Sequence, residues 1–360
     1  LIPVRNSHTM NEQNLFLDQH SVNPLKESVI DDKTEILNVI VDDGQPSTDC
    51  ALIGKKFEWK PILWMMHQKE RISSLVKFRL VMCECELSTT TKQIIIDTLP
   101  GVDIEFIELN LSGSYHFYVL CAEEARAYKS TVREVPLYCS IGTMRLPRLL
   151  IAHWSQKHSI ENIGYPALSE SELSSFKHQI SRVSDYEIND YLNVPKRFFG
   201  NLHFTKFFQK QTAKLRECRI AMVSEQPWFD HMQGFLCEKF TQPIANKCVL
   251  FFIGDTNDNQ YITKLGFKSY IGFDYSALKE KNFIVRWTKL LDDNKNFFLD
   301  KDKNKEIYDL NRHVIEHNFE VLKNTDWTKK AEDEIEMLPA QVKEFLLEKF
   351  FKELPTHYLR

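Results

Sequence analysis

Glu238 and Lys239 stand side by side in GFLCEKFTQPIANKCVLFFIG, residues 234 to 254, inside an amphipathic run that ends in a block of apolar residues. On a helix that precedes a buried strand, a lysine near the helix start neutralises a diphosphate, and a carboxylate accepts hydrogen bonds from the two hydroxyls of a ribose. Just upstream, VSE reads as the end of a strand and carries Ser224 and Glu225. In open α/β sheets ligands bind at the carboxyl ends of strands, where helix N-termini present free N–H groups. The four residues therefore suit a nucleotide bearing a sugar. An ordinary surface helix accounts for the pair equally simply, with Lys239 snorkelling and Glu238 on the solvated face.

Other groups have chemistry to offer. Asp42 and Asp43 follow a β-rich run and are placed to deprotonate an acceptor hydroxyl, or else to cap a turn. Asp97 has the same two readings at the end of QIIID. His67, His116 and His153 stand singly on apolar segments and read as structural. Between residues 196 and 219, KRFFGNLHFTKFFQKQTAKLRECR carries seven Lys/Arg against Glu217 alone, interleaved with five phenylalanines. Basic and aromatic residues mixed in this way hold phosphates and stack bases. Lys206, Lys210 and Lys214 are the candidate phosphate contacts, and an amphipathic helix with a solvated basic face is the alternative. Asp300 and Asp302 fall in a Lys/Asp-rich polar stretch and read as solvated surface rather than a metal motif.

These residues need a scaffold. With 360 residues, 43% of them hydrophobic, the chain can bury a core larger than one domain usually holds. The net charge of −4 argues against a surface that binds polyanions everywhere, while leaving room for a local basic face. Eight cysteines lie mostly in apolar runs without CxxC or zinc-type Cys/His spacing, which reads as buried free thiols of a reducing compartment. No apolar run reaches the length of a membrane span and no signal-peptide pattern is present, so the expectation is a soluble, cytoplasmic chain with no membrane partner.

Residues 1 to 33 are polar and aperiodic and read as an N-terminal extension. EILNVIVDDG (35 to 44), FRLVM (78 to 82), QIIID (93 to 97), VDIEFIEL (102 to 109) and YHFYVLC (115 to 121) form a first series of short apolar runs, with a helix expected at 59 to 72. A second series begins at PLYCSIG (136 to 142) and passes through a helix at 145 to 158. It resumes with CRIAMVSE (218 to 225), the Glu238-Lys239 helix, CVLFFIG (248 to 254) and NQYITKLGFKSYIGFD (259 to 274). Strands alternating with helices predict parallel, wound sheets. The expected fold class is therefore α/β, with two Rossmann-like domains at 34–135 and 136–325 facing across a cleft. Residues 326 to 360 then form an amphipathic C-terminal helix kinked at Pro339, long enough to brace both domains.

The block VSEQPWFDHMQGFLCEKFTQPIANKCVLFFIG resembles the donor-binding half of GT-B glycosyltransferases, particularly the fucosyltransferase-like pattern of a Glu near a strand end followed by T-E-K-F. It is more similar to a group of phage and viral glycosyltransferase-like proteins. The matching residues are Ser224, Glu225, Glu238, Lys239, Pro243, Ile244 and Gly254, then YITKLGFKSY from Tyr261 to Tyr270. YCSIGTMRLPRLLIAHW resembles that group's L-C-L-N-x-x-x-R-x-x-R run through Cys139, Arg145 and Arg148. The likeness covers roughly residues 136 to 320. It departs at Ile141, where the group has Asn, at Cys237 before the Glu-Lys pair, where it has Thr, and at Gln242, where Lys is common.

The resemblance implies transfer of a hexosyl or pentosyl group from a nucleotide-diphosphate sugar, a UDP-sugar first among them, through an oxocarbenium-like transition state. It implies Arg145, Arg148 and Lys239 as the cations that stabilise the leaving diphosphate without a metal, with Ser224, Glu225 and Glu238 completing the donor set. Phage enzymes of this type that glycosylate hydroxymethylated DNA bases need a basic face, which makes DNA one acceptor class. A glycan acceptor, a non-catalytic nucleotide-binding protein, and an epimerase or phosphorylase on the same fold are the alternatives.

Overall fold

The computed structural model describes residues 10–18, 29–42, 60–83, 86–87, 89–109, 115–140, 146–160, 163–164, 174, 178, 204–224, 232–233, 238–253, 262–280 and 282–352. In chain order the first elements are β1 (Glu12–Asp18), β2 (Ile36–Asp42), α1 (Lys60–His67), α2 (Lys69–Ser73), β3 (Lys77–Met82), β4 (Glu86–Leu87), α3 (Thr89–Thr98) and β5 (Ile104–Glu108). Then come α4 (Tyr115–Arg126), β6 (Val135–Ser140), α5 (Leu146–Lys157), β7 (Ile163–Gly164), α6 (Phe204–Glu217), β8 (Cys218–Ser224), β9 (Met232–Gln233), α7 (Glu238–Ala245) and β10 (Val249–Ile253). A 3-10 turn at Ser276–Lys279 precedes α8 (Phe283–Asp293), α9 (Lys295–Leu299), α10 (Lys301–Leu310), α11 (Arg312–Asn324), α12 (Trp327–Glu336) and α13 (Ala340–Leu346), which runs into a π turn at Leu347–Lys352.

Two four-stranded sheets result, ordered β1-β2-β3-β5 and β10-β8-β6-β7, and every pairing within them is parallel. Strands of such sheets are buried on both faces, which is why VLFFI reads as a continuous apolar run and ILNVIV as one broken only by Asn38. In the second sheet Leu137, Ile220, Met222 and Phe251 enter one core, while Tyr138, Ala221, Val223 and Leu250 enter the core on the opposite face. That is the period-2 alternation of a pleated strand. The α/β reading with two Rossmann-like units and a C-terminal helical segment holds.

Three local expectations differ. Residues 12–18, within the polar stretch taken as an extension, form edge strand β1, paired along its full length with β2. Its polar residues are used there: Asn38 Nδ2 donates to Glu12 Oε1 and Asn14 Oδ1, both at 2.7 Å, and Arg79 bridges Glu12 and Glu105 at 3.0 Å each. QIIID lies in helix α3, because Thr91, Ile95 and Leu99 are the buried residues and Ile96 is exposed. YHFYVLC lies in helix α4, with Tyr115, Tyr118, Cys121, Ala122 and Ala125 buried at helical spacing. In both segments the 3.6-residue period overrides the β propensity of the individual residues.

The stretch 262–275 is a helical turn followed by an irregular strap. Each third residue of the strap is held by a buried asparagine. Asn318 Oδ1 accepts from Lys268 N at 2.7 Å and its Nδ2 donates to Lys268 O at 2.9 Å. Asn311 does the same for Ile271 at 2.8 Å in both directions, and Asn294 for Asp274 at 2.8 and 2.7 Å. Three side-chain amides thus replace the strand partner that the strap lacks. Gly272 has φ +94° and would press a Cβ to 2.4 Å from Ile307, so the strap's turn requires glycine.

The terminal segment touches both sheets. Trp327 and Ala331 of α12 enter the core of the second sheet, whereas Ile335, Val342 and Leu346 pack with Ile40, Val81, Cys83 and Leu109 of the first. Pro339 occupies the N-cap of α13, so the expected kink is a break between two helices. Phe351 then stacks on Tyr115 with centroids 4.7 Å apart, and Asn14 Nδ2 donates to Gln341 O at 3.1 Å.

Candidate functional site

Strand β8 ends at Ser224, beside Ile253 of β10, and helix α7 begins at Glu238. Phe240, Ile244 and Ala245 bury α7 in the second-sheet core, and Thr241, Gln242 and Asn246 are buried as well. Each of these polar groups is bonded: Thr241 Oγ1 donates to Cys121 Sγ at 3.1 Å, Gln242 Nε2 to Thr212 Oγ1 at 3.1 Å, and Asn246 Nδ2 to Gln242 O at 2.9 Å. A helix covered this thoroughly has little solvated face. Lys239, in its first turn, is half-buried and lines a shallow groove of about 20 Å³ with Tyr138, Met222, Val223, Gln211 and Gln242.

The far end of α7 is locked. Cys248 N bonds to Pro243 O and Lys247 N to Ile244 O, both at 3.0 Å, a Schellman closure in which Lys247 takes φ +55°. Arg133 then acts as a staple for helix carbonyls. It donates to Leu215 O at 3.2 Å near the end of α6, to Cys218 O at the start of β8, to Asn246 O after α7, and to Tyr128 Oη at 3.2 Å. Terminal carbonyls lack intrahelical donors, and one guanidinium supplies donors to two helices at once.

Glu124 of α4 completes this junction by accepting from Asn246 Nδ2, while Arg216 Nε donates to Asn246 Oδ1 at 3.2 Å. Burial raises the Glu124 carboxyl above its ordinary 4.5, against the opposing pull of hydrogen bonds from Thr212 and Asn246 and of the Arg216 charge. The helix carrying Lys206, Lys210 and Lys214 is therefore clamped to the helix carrying Lys239.

Of the residues expected to carry chemistry, the structure brings Ser224, Glu238 and Lys239 to the two sides of the β8–α7 connection. The side chains of Ser224 and Glu238 lie outside the described residues, as does Glu225 entirely. Arg148 falls in α5 immediately after β6, its side chain outside the described set together with Arg145. Asp42 closes β2 in register with Asp18 of β1, on the other sheet, and Asp43 is outside the described residues. Lys206 and Lys210 lie on α6 with side chains outside the description; Lys214 is exposed, 3.6 Å from Glu217.

Asp97 is not at a strand end but on α3, accepting from Gln93 Nε2 at 2.8 Å. Asp300 caps α10 through Asp302 N and Lys303 N. Among the described residues no three His, Cys, Asp or Glu are grouped to hold a metal ion, and no helix is long and apolar enough to cross a membrane. The described cysteines Cys83, Cys121, Cys139, Cys218 and Cys248 are buried thiols in no disulfide. Gln211 and Tyr138 of the groove escaped the sequence reading, because nothing local marks which residues of α6 and β6 face α7.

No family model matches the chain, and no curated protein matches it. Among solved structures it is similar to one titled "Crystal structure of GtfA/B complex", at 11% identity and a TM-score of 0.32. That alignment takes in 83% of this chain and 52% of the other, so the chain spans about half the length of the protein it matches.

Proposed function

We propose that the chain is a glycosyltransferase that moves a sugar from a nucleotide-diphosphate sugar, a UDP-sugar first, to an acceptor hydroxyl. The observation that carries this reading is Lys239: a half-buried cation in a groove at the carboxyl end of β8, within the block that resembles GT-B donor sites. A lysine so placed neutralises a leaving diphosphate better than a fully solvated one, because the surrounding low dielectric strengthens its field. Arg145 and Arg148, which follow β6 in the chain, share this task, and Ser224, Glu225 and Glu238 hold the ribose and phosphate. Asp42 or Asp43 of the first unit takes the acceptor proton as the sugar–oxygen bond forms and the nucleotide diphosphate leaves.

For the acceptor, we propose a hydroxymethylated DNA base, held through the phosphate contacts of Lys206, Lys210 and Lys214. The clamping of α6 against α7 favours this over a remote basic face, since it keeps the basic helix beside the donor groove. A thermal-shift panel of nucleotides and nucleotide sugars, followed by transfer assays to hydroxymethylated DNA and to glycans, tests both statements. A nucleotide diphosphate that binds the folded chain raises its melting temperature by mass action. No shift with any nucleotide defeats the donor reading; binding without turnover on any acceptor reduces the chain to a nucleotide-binding protein.

A further inference from the structure

The two sheets are joined by more than the terminal helices. Strand β4, just after β3 of the first sheet, pairs antiparallel with β9, which lies between β8 and α7 of the second unit: Glu86 opposite Gln233 and Leu87 opposite Met232. A ribbon of two residues per strand has too few bonds to persist alone. Here it is supported from the first unit. Leu87 is buried in the first-sheet core, and its N–H donates to Glu108 Oε1 at 2.5 Å. The other oxygen, Oε2, lies 2.7 Å from Lys92 Nζ, and the Glu108 side chain is 18% exposed. From the second unit, Lys264 Nζ reaches Glu86 Oε1 at 2.6 Å.

We infer that Glu108, the last residue of β5, is a positioning residue for the donor segment of the opposite unit. It holds β4 in the orientation that captures β9, and β9 lies five residues before Glu238 in the chain. Lys92, paired with Glu108 at 2.7 Å, directs the carboxylate at Leu87, and a charged acceptor makes a stronger hydrogen bond than a neutral one. Removing the carboxylate frees β4 to rotate, and β9 loses its only ladder partner among the described residues. The exposed Lys264–Glu86 pair contributes little by itself, as surface ion pairs do. The clasp stands on geometry alone; its consequence for nucleotide binding rests on the glycosyltransferase reading above.

Hydrogen exchange of the full chain, followed on peptides covering residues 86–87 and 232–233, separates the two. Glu108→Ala is expected to speed exchange in both peptides by roughly tenfold, the effect of one hydrogen bond to a charged group, with peptides from α11 and β10 unchanged. Glu108→Gln, which keeps an acceptor for Leu87 N, is expected to retain most of the protection. Gln233→Pro attacks the ribbon from the other side and is expected to expose residues 86–87 as well. In parallel, Glu108→Ala should weaken nucleotide-diphosphate affinity several-fold while Glu108→Gln does not.

Unchanged exchange at residues 232–233 in Glu108→Ala, or faster exchange in every peptide alike, overturns the clasp. Faster exchange there with wild-type nucleotide affinity overturns the positioning role. A wild-type chain that binds no nucleotide defeats the proposed function, and also the positioning role that rests on it, while the exchange result still decides the clasp.

Discussion

Asn318 treats Lys268 as a strand partner would, accepting its N–H at 2.7 Å and donating to its carbonyl at 2.9 Å from a side chain that is fully buried. Asn318→Leu keeps the approximate volume and leaves two backbone groups without partners. Each such group costs about 1–3 kcal/mol, so a loss of roughly 2–6 kcal/mol is expected. Asn318→Asp should also destabilise, since it sets an acceptor against the Lys268 carbonyl. Melting temperatures of the two variants check this, and a leucine variant as stable as wild type would show that the strap is held by packing alone.

Glu124 gives a pH dependence of definite sign. Burial raises its folded-state value above the ordinary 4.5, so the native state binds the proton more tightly than the unfolded chain. The stability it contributes is fully present below pH 4.5 and is lost as pH rises through the raised value. Glu124→Gln mimics the protonated form. Its melting temperature should exceed that of wild type at pH 7 to 8, and the two curves should meet near pH 4.5. A constant offset across that range would place the effect in packing instead.

Lys239→Ala removes a groove cation while Phe240 and Ile244, which anchor α7, stay in place. Nucleotide-diphosphate affinity should fall by roughly tenfold or more, as for loss of a hydrogen bond between charged groups, with the melting temperature of the free chain little changed. Titration calorimetry with the best ligand of the thermal-shift panel is the measurement. Equal affinity in both proteins returns Lys239 to the solvated-face alternative.

Lys206, Lys210 and Lys214 test the acceptor. Replacing each with Gln should lower the slope of log affinity against log salt by about one for every phosphate that is no longer neutralised, and weaken binding almost equally for all DNA sequences. Binding across a salt series and sugar transfer to hydroxymethylated DNA are read together. A wild-type chain that transfers to another acceptor, yet neither binds DNA at low salt nor modifies it, eliminates DNA and leaves the transferase reading standing.

Local pattern alone determined much of the scaffold. ILNVIV, CRIAMVS and VLFFI carry apolar residues on both alternating faces, as a strand in a covered parallel sheet does, and the helix at 146–157 and the one bearing Lys239 follow from helical spacing. Ser224 and Lys239 were legible as strand-end and helix-start residues for the same reason. Tertiary structure decided the rest. Local β propensity favoured QIIID as a strand, but burial of Thr91 and Ile95 against the first-sheet core made it a helix. The polar segment 12–18 becomes a strand only because β2 offers a free edge and Asn38 and Arg79 bond to its polar groups. The Arg133 staple, the asparagine-held strap, the β4–β9 ribbon and the bond from Asn14 to Gln341, 327 residues apart in sequence, join partners that no local window contains. Their energy comes from satisfying buried polar groups after the chain has closed on itself, and that pairing leaves no periodicity in the sequence to read.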